Sequence, residues 1–206
     1  MDSYVTVKQR SSFEYEDRKS VFIGEAMPVS SEVDALAFIE SVRKKYSDAR
    51  HHVYAYVLRD NSIARFTDDH EPQGTAGMPI LDVIRKKGLT DIVIVVTRYF
   101  GGTLLGTGGL VRAYTSAAAG AIENAEIVTY DVYSELAVTV GYSDYGKLAT
   151  KLSELSFFVE DTDFSESVCV IGKIPKRDLE ALYSVVTELT SGRAEYELLG
   201  EKYDCI

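Results

Sequence analysis

The chain has no tryptophan, and only two cysteines and four prolines among its 206 residues. Two cysteines, Cys169 and Cys205, cannot build the disulfide framework of a small secreted domain, which favours a reducing compartment. No apolar run approaches the ~18 residues that indicate a membrane span. The opening residues, MDSYVTVKQR, lack the apolar segment of a signal peptide. These absences predict a cytoplasmic protein that does not associate with membranes.

Basic residues are outnumbered by acidic ones. The chain has 22 lysines and arginines against 32 aspartates and glutamates, a formal net charge of −10. Residues 1–131 carry 15 basic and 18 acidic side chains, and residues 132–206 carry 7 and 14. Proteins that bind nucleic-acid phosphates usually present a basic surface. The C-terminal part therefore argues against such a role, and the N-terminal part allows it only where its cations cluster.

The periodicity of residues 1–131 predicts a mixture of strands and helices. Strands are expected at residues 4–7, 12–16, 20–28, 52–58, 63–66 and 91–97. A helix that follows a capping box at Ser31–Asp34 is expected to bury Val33, Leu36, Ile39, Val42 and Tyr46. A second helix opens at Met78-Pro79, and a third, rich in small residues, begins at about Leu110.

The pattern changes in residues 132–206, which predict a second domain. Alternating strands and two amphipathic helices, the first capped by Ser143, follow the order β-α-β-β-α-β. This is the ferredoxin-like or split-βαβ order. We therefore expect an α+β protein with domains at 1–131 and 132–206, and a role for the second domain in docking or recognition.

The strongest functional signal lies between Asp91 and Ala125. A buried strand leads through a glycine-rich loop into the small-residue helix, a layout that can aim backbone N–H groups at an anion. The candidate phosphate-binding residues are the loop and two flanking arginines: Arg98, Gly101, Gly102, Gly106, Thr107, Gly108, Gly109 and Arg112. Alternatively, the glycines only form a tight crossover. The spacing is neither a Walker A nor a dinucleotide motif.

A second group of polar residues could form a candidate site. Its members are His51, His52, Asp68, Asp69, Glu71 and Thr75. A histidine facing Asp69 or Glu71 would make an acid/base pair, whereas the alternative is that these side chains only shape a turn. Adjacent histidines on a strand face opposite ways and cannot jointly hold a metal. We therefore assign no catalytic residue, metal or cofactor.

Two long motifs resemble the signature of the Impact/YigZ family. They are DDHEPQGTAGMPIL, from Asp68, and VTRYFGGTLLGTGGLVRAY, from Val96. Shorter matches are Lys19-Ser20 with Phe22-Ile23, and Ala49-Arg50-His51-His52. The family usually has glycine where this chain has His70, which alters the turn. It often has a basic residue where this chain has Val21, so one cation is missing.

The resemblance implies an N-terminal domain like domain 2 of ribosomal protein S5 and a C-terminal ferredoxin-like domain. It also implies a role in translation, because eukaryotic relatives are linked to translational control. Our first hypothesis is a non-catalytic regulator that binds RNA phosphate, the ribosome or a translation factor through the glycine-rich loop. The alternative hypothesis is that the protein is an enzyme, which would transfer phosphoryl groups or catalyse hydrolysis. Its substrate would be a small phosphorylated compound or a peptide bound at the same loop.

Overall fold

The computed structural model describes residues 3–59 and 63–205, and their contacts form two compact units. One unit is Tyr4–Thr129, and the other comprises Ser3 and residues 130–205. Both units mix helices with strands, so the α+β prediction is confirmed. Within the described ranges, no helix combines the length and the apolar character that a membrane span needs.

The N-terminal unit is built on one antiparallel sheet. Its elements are β1 (Tyr4–Val7), β2 (Ser11–Asp17), β3 (Ser20–Pro28), α1 (Glu32–Lys45), β4 (His51–Val57), β5 (Ala64–Thr67), α2 (Gly77–Lys86), β6 (Ile92–Tyr99) and α3 (Gly106–Asn124). The sheet has five of these strands, in the order β2-β3-β6-β4-β5, and β1 is not one of them. β6 lies at the centre and is buried on both faces, which explains why its sequence is a continuous apolar run.

Helices cover both faces of this sheet. α2 and α3 share one core with β3, β4 and β6, and α1 packs on the opposite face. α3 lies unusually close to the sheet: a Cβ on Gly24 would be 2.4 Å from the carbonyl oxygen of Ala117. A Cβ on Gly120 would be 2.3 Å from the ring of Phe13. Glycine at these two positions sets the helix–sheet distance.

The structure corrects the predicted face of α1. Ser31 caps this helix as expected, because its side chain accepts a hydrogen bond from the N–H of Asp34 at 3.2 Å. However, Val33 is 75% exposed and Leu36 is also exposed, so both assignments to the core were wrong. The residues that do pack against the sheet follow helical spacing: Ala35, Phe38, Ile39 and Val42. The buried face is therefore the one that carries Phe38 and Ile39, and Val33 lies outside it.

The C-terminal unit has the predicted β-α-β-β-α-β order. Its elements are β7 (Ile127–Val140), α4 (Tyr142–Glu154), β8 (Phe158–Phe164), β9 (Val168–Pro175), α5 (Leu179–Thr190) and β10 (Glu195–Asp204). The antiparallel strands follow β10-β7-β9-β8, and α4 and α5 pack on one face of them. The N-cap of α4 is Gly141, not Ser143, which lies inside the helix.

Candidate functional site

One end of the N-terminal sheet holds most of the predicted site. β6 ends there, and Arg98 near its end is paired with Phe22 on β3 and with His51 on β4. The loop after β6 packs directly on the β2–β3 turn, since a Cβ on Gly101 would be 2.0 Å from the carbonyl carbon of Lys19. α3 begins at this same end, because it follows that loop.

The start of α3 is a turn of uncapped backbone. The helix begins at Gly106, earlier than the expected Leu110. The N-cap residue, Leu105, makes no side-chain cap, and the first turn has no acidic side chain. The first N–H groups of a helix have no partners within the helix, and here they also carry its positive dipole end. These groups are therefore available to an anion.

Four of the five glycines in this segment differ in why the structure has glycine there. Gly102 and Gly106 have φ values of 85° and 71°, which side-chain-bearing residues rarely adopt. Gly101 has no room for a side chain, as its contact with Lys19 shows. Gly108 differs, because a Cβ there would meet no atom within 4 Å. The fold does not require glycine at this exposed position, which suits close approach by an outside group.

Arg98 does not have the predicted role of an external phosphate ligand. Its Nη1 donates to Glu71 Oε1 at 2.6 Å, and the two side chains are only 7% and 4% exposed. The hydroxyl of Tyr114, on α3, donates to the same carboxylate oxygen at 2.7 Å. β6 continues through Arg98, so this side chain follows Ile94 and Val96 onto the inner face. Arg98 on β6 and Tyr114 on α3 therefore both bind Glu71, which lies in the loop between β5 and α2, and the arginine does not reach solvent.

Arg112 remains available for the predicted role. It is exposed, and it has no hydrogen bond or ion pair with any residue that the structure describes. It lies four residues after Gly108, on the same side of α3. Helical side chains generally lean toward the N-terminus, so we expect the side chain of Arg112 to reach toward the uncapped N–H groups.

Further cations surround the start of α3. Arg18 and Lys19 form the β2–β3 turn, and Arg50 immediately precedes β4. All three are exposed, and none pairs with a carboxylate within residues 3–59 and 63–205. We call these three residues, together with Arg112 and the first turn of α3, the basic end.

The Asp68–Gly77 loop uses its acidic side chains to hold its own backbone. Asp68 accepts hydrogen bonds from the N–H groups of Gly74, Ala76 and Gly77, between 2.8 and 3.1 Å. Asp69 Oδ2 accepts one from the N–H of His52 at 2.6 Å. His70 has a φ of 68°, a value that glycine adopts without strain and that side-chain-bearing residues rarely adopt.

The remaining polar candidates also make internal contacts. The Nδ1 atom of His51 lies 2.8 Å from the carbonyl oxygen of Asp69, and Nδ1 of His52 lies 3.2 Å from the hydroxyl of Thr97. Burial lowers the pKa of His52. The hydroxyl of Thr75 donates to the carbonyl of Pro72. Among the described residues, no three His, Cys, Asp or Glu side chains could hold a metal ion.

Comparison with known proteins identifies the family. Residues 18–122 match the model of the Impact N-terminal domain. The chain is 36% identical to the IMPACT family member YvyE of Bacillus subtilis, over 95% of this chain and 90% of that protein. The chain belongs to the IMPACT family. Residues 138–193 match a second model, described as a domain of unknown function, DUF1949.

Other IMPACT family members show how the similarity is distributed. The match to YigZ of Escherichia coli is 48% identical over 48% of this chain and 50% of that protein. The match to Protein IMPACT of Xenopus laevis is 32% identical over 44% of this chain and 30% of that protein. A crystal structure of a hypothetical protein is 29% identical, with a TM-score of 0.61, and covers 97% of this chain and 98% of its own.

Proposed function

We propose that this IMPACT family member is a non-catalytic, translation-associated protein of the cytoplasm that binds the phosphate backbone of RNA through the basic end. The observation that carries the proposal is the uncapped first turn of α3 beside the unpaired Arg112. Backbone N–H groups and guanidinium groups are both good donors to phosphate oxygens. The family resemblance supports a role in translation.

Charge distribution supports a local site despite the acidic total. Arg18, Lys19 and Arg50 are exposed around the same loop. Of the acidic side chains at this end of the sheet, Asp68 and Asp69 are already bound to backbone N–H groups, and Asp48 accepts a hydrogen bond from Tyr99. A phosphate at the basic end would therefore meet donors that have no internal partner. No comparable observation favours the enzyme hypothesis, since its candidate acid/base side chains make structural contacts.

Binding of a labelled, structured RNA by the full chain at low salt tests the proposal. We expect Arg112→Ala to weaken binding and to reduce the slope of log affinity against log salt by about one. Lys86→Ala is the matched control, because Lys86 is an exposed cation at the far end of α2. It should leave binding unchanged.

Two results would overturn the proposal. One is no RNA retention by the wild-type chain at low salt. The other is equal loss in the Arg112→Ala and Lys86→Ala variants, which would indicate attraction without a site. Binding of a ribosomal protein or translation factor with no such salt slope would replace RNA phosphate as the ligand.

A further inference from the structure

A cavity of about 490 Å³ opens beside the basic end. Its lining includes Arg50 and His51 at the start of β4, Arg98 near the end of β6, and Phe100 and Leu104 in the loop that follows. Pockets for small organic groups are typically about 300–1,000 Å³. The cavity is therefore large enough for a group bigger than a phosphate.

The wall formed by the loop after β6 is apolar and open. Phe100 is 57% exposed and Leu104 is 82% exposed. Exposed apolar side chains that lie singly need no explanation, but these two line one cavity that also contains cationic side chains. A charged patch for phosphate alone gives no reason for an exposed ring and an exposed leucine.

The guanidinium group of Arg98 packs against the ring of Phe100. The Cζ atom of Arg98 lies 5.6 Å from the centroid of Phe100 and 5.4 Å from that of Phe22. Glu71 fixes Arg98 in turn, at 2.6 Å. A buried guanidinium thus supports Phe100, and the residue nevertheless remains more than half exposed. A supported, exposed aromatic ring is the platform on which nucleobases stack.

The polar groups around the ring suit a nucleotide. Arg50 is an exposed cation in the lining and can meet a phosphate. Of the described residues that line the cavity, only Asp48 is acidic, and it accepts a hydrogen bond from the hydroxyl of Tyr99 at 2.7 Å. That bond raises the pKa of Tyr99 to about 12, so the hydroxyl of Tyr99 keeps the proton that it donates to Asp48.

We infer that this cavity binds one unpaired nucleotide of a single-stranded RNA, with its base stacked on Phe100 and its phosphates at the basic end. This inference rests on the proposed function and names the RNA that the site prefers. In a double helix the bases are stacked on each other, so a duplex could use the phosphate contacts but not the ring.

The absence of tryptophan from the chain allows a direct test. A Phe100→Trp variant carries a single fluorescent indole at the stacking position, and a Phe66→Trp variant carries one at another exposed ring position, on β5. We expect a short oligouridylate to quench the fluorescence of the first variant only. An abasic oligoribonucleotide of equal length should bind more weakly and leave both signals unchanged.

Truncation of the ring gives an independent measurement. Phe100→Ala should weaken oligouridylate binding about five- to a hundredfold, and Phe100→Leu should weaken it nearly as much because it keeps apolar volume but has no aromatic face. Phe66→Ala should have no effect. Uridine monophosphate tests whether the occupant is a free nucleotide. If it quenches the fluorescence of the Phe100→Trp variant at the same concentration as the oligomer, the result supports the cavity and identifies a free nucleotide as its occupant.

The two proposals fail in different ways. If RNA binds, depends on Arg112 and ignores both the loss of bases and the loss of the Phe100 ring, the nucleotide cavity is refuted and phosphate binding stands. If the wild-type chain retains no RNA at low salt and uridine monophosphate does not quench, both are refuted.

Discussion

Arg98 and Glu71 form a buried ion pair whose partners should be strongly coupled in stability. Each side chain is less than a tenth exposed, and the Nη1–Oε1 distance is 2.6 Å. Removal of one partner of such a pair leaves an uncompensated buried charge and costs about 3–5 kcal/mol. We therefore expect Glu71→Ala and Arg98→Met each to lower the free energy of unfolding of the N-terminal unit by that amount.

The double variant should lose much less than the sum of the two single losses. Once both charges are gone, the second change removes no further ionic contact, so the coupling energy should reach about 2–3 kcal/mol. Glu71→Gln should cost less than Glu71→Ala, about 1–3 kcal/mol, because an amide oxygen can still accept from Tyr114 and Arg98. The surface pair Lys8–Glu126, at 3.0 Å with both side chains more than half exposed, is the control and should show at most about 1 kcal/mol.

Native-state hydrogen exchange in urea measures these values locally. The amides of Ile92–Tyr99 report on the central strand, so the measurement does not require the two units to unfold together. The buried pair, and its role in supporting Phe100, would be contradicted if the double variant of Arg98 and Glu71 lost the sum of the two single losses in unfolding free energy. A coupling energy no larger than that of Lys8 and Glu126 would contradict it equally.

Two further predictions concern the loop and the response to acid. Gly108→Ala should stabilise α3 by about 0.5–1 kcal/mol and should weaken RNA binding. Gly101→Ala should instead destabilise the N-terminal unit by about 1–3 kcal/mol, because the added Cβ meets the backbone of Lys19. Urea midpoints that shift in the same direction for both variants would contradict this prediction. Burial raises the pKa of Glu25, but hydrogen bonds from Lys45 and Arg10 outweigh it and hold that pKa below its usual 4.5. The stability that ionised Glu25 contributes is therefore present above pH 4.5 and is lost as the pH falls through the lowered pKa. Because Glu25→Gln has no carboxylate to protonate at this position, this variant should lose less stability on acidification than the wild type. Equal losses of stability in the two proteins would refute this.

Most of the N-terminal sheet and the whole order of the C-terminal unit were predictable, because alternation and short apolar runs are local signals. The face of Arg98 was also within reach of the sequence. Ile92, Ile94 and Val96 alternate onto the inner face, and one more step of the same alternation brings Arg98 there. The prediction was wrong because it ended the strand at Thr97, and an arginine next to glycines suggested a loop.

Other features depend on contacts that are distant in the sequence. Glycine has a low helix propensity, so nothing local indicates that α3 begins at Gly106. The hydrogen bond that Arg98 donates to Glu71 spans 27 positions, and no spacing rule connects the two residues. The cavity beside Phe100 was not predicted either, since it arises only when the segment before β4 meets the loop after β6.

A net charge of −10 does not exclude RNA binding when the charges are separated along the fold. In the N-terminal unit, Asp91 precedes β6 and pairs with Arg59, at the opposite end of that strand from the basic end. Eight strand residues span about 25 Å, several times the Debye length of about 8 Å at physiological salt. Screening therefore hides that carboxylate from a phosphate at the basic end, whereas Asp48, Asp68 and Asp69, which lie near this end, accept hydrogen bonds from Tyr99 and from backbone N–H groups. With only four exposed cations there, Arg18, Lys19, Arg50 and Arg112, the salt slope for a single strand should not exceed about three. Such shallow dependence makes the stacking of one base on Phe100 a large share of the affinity.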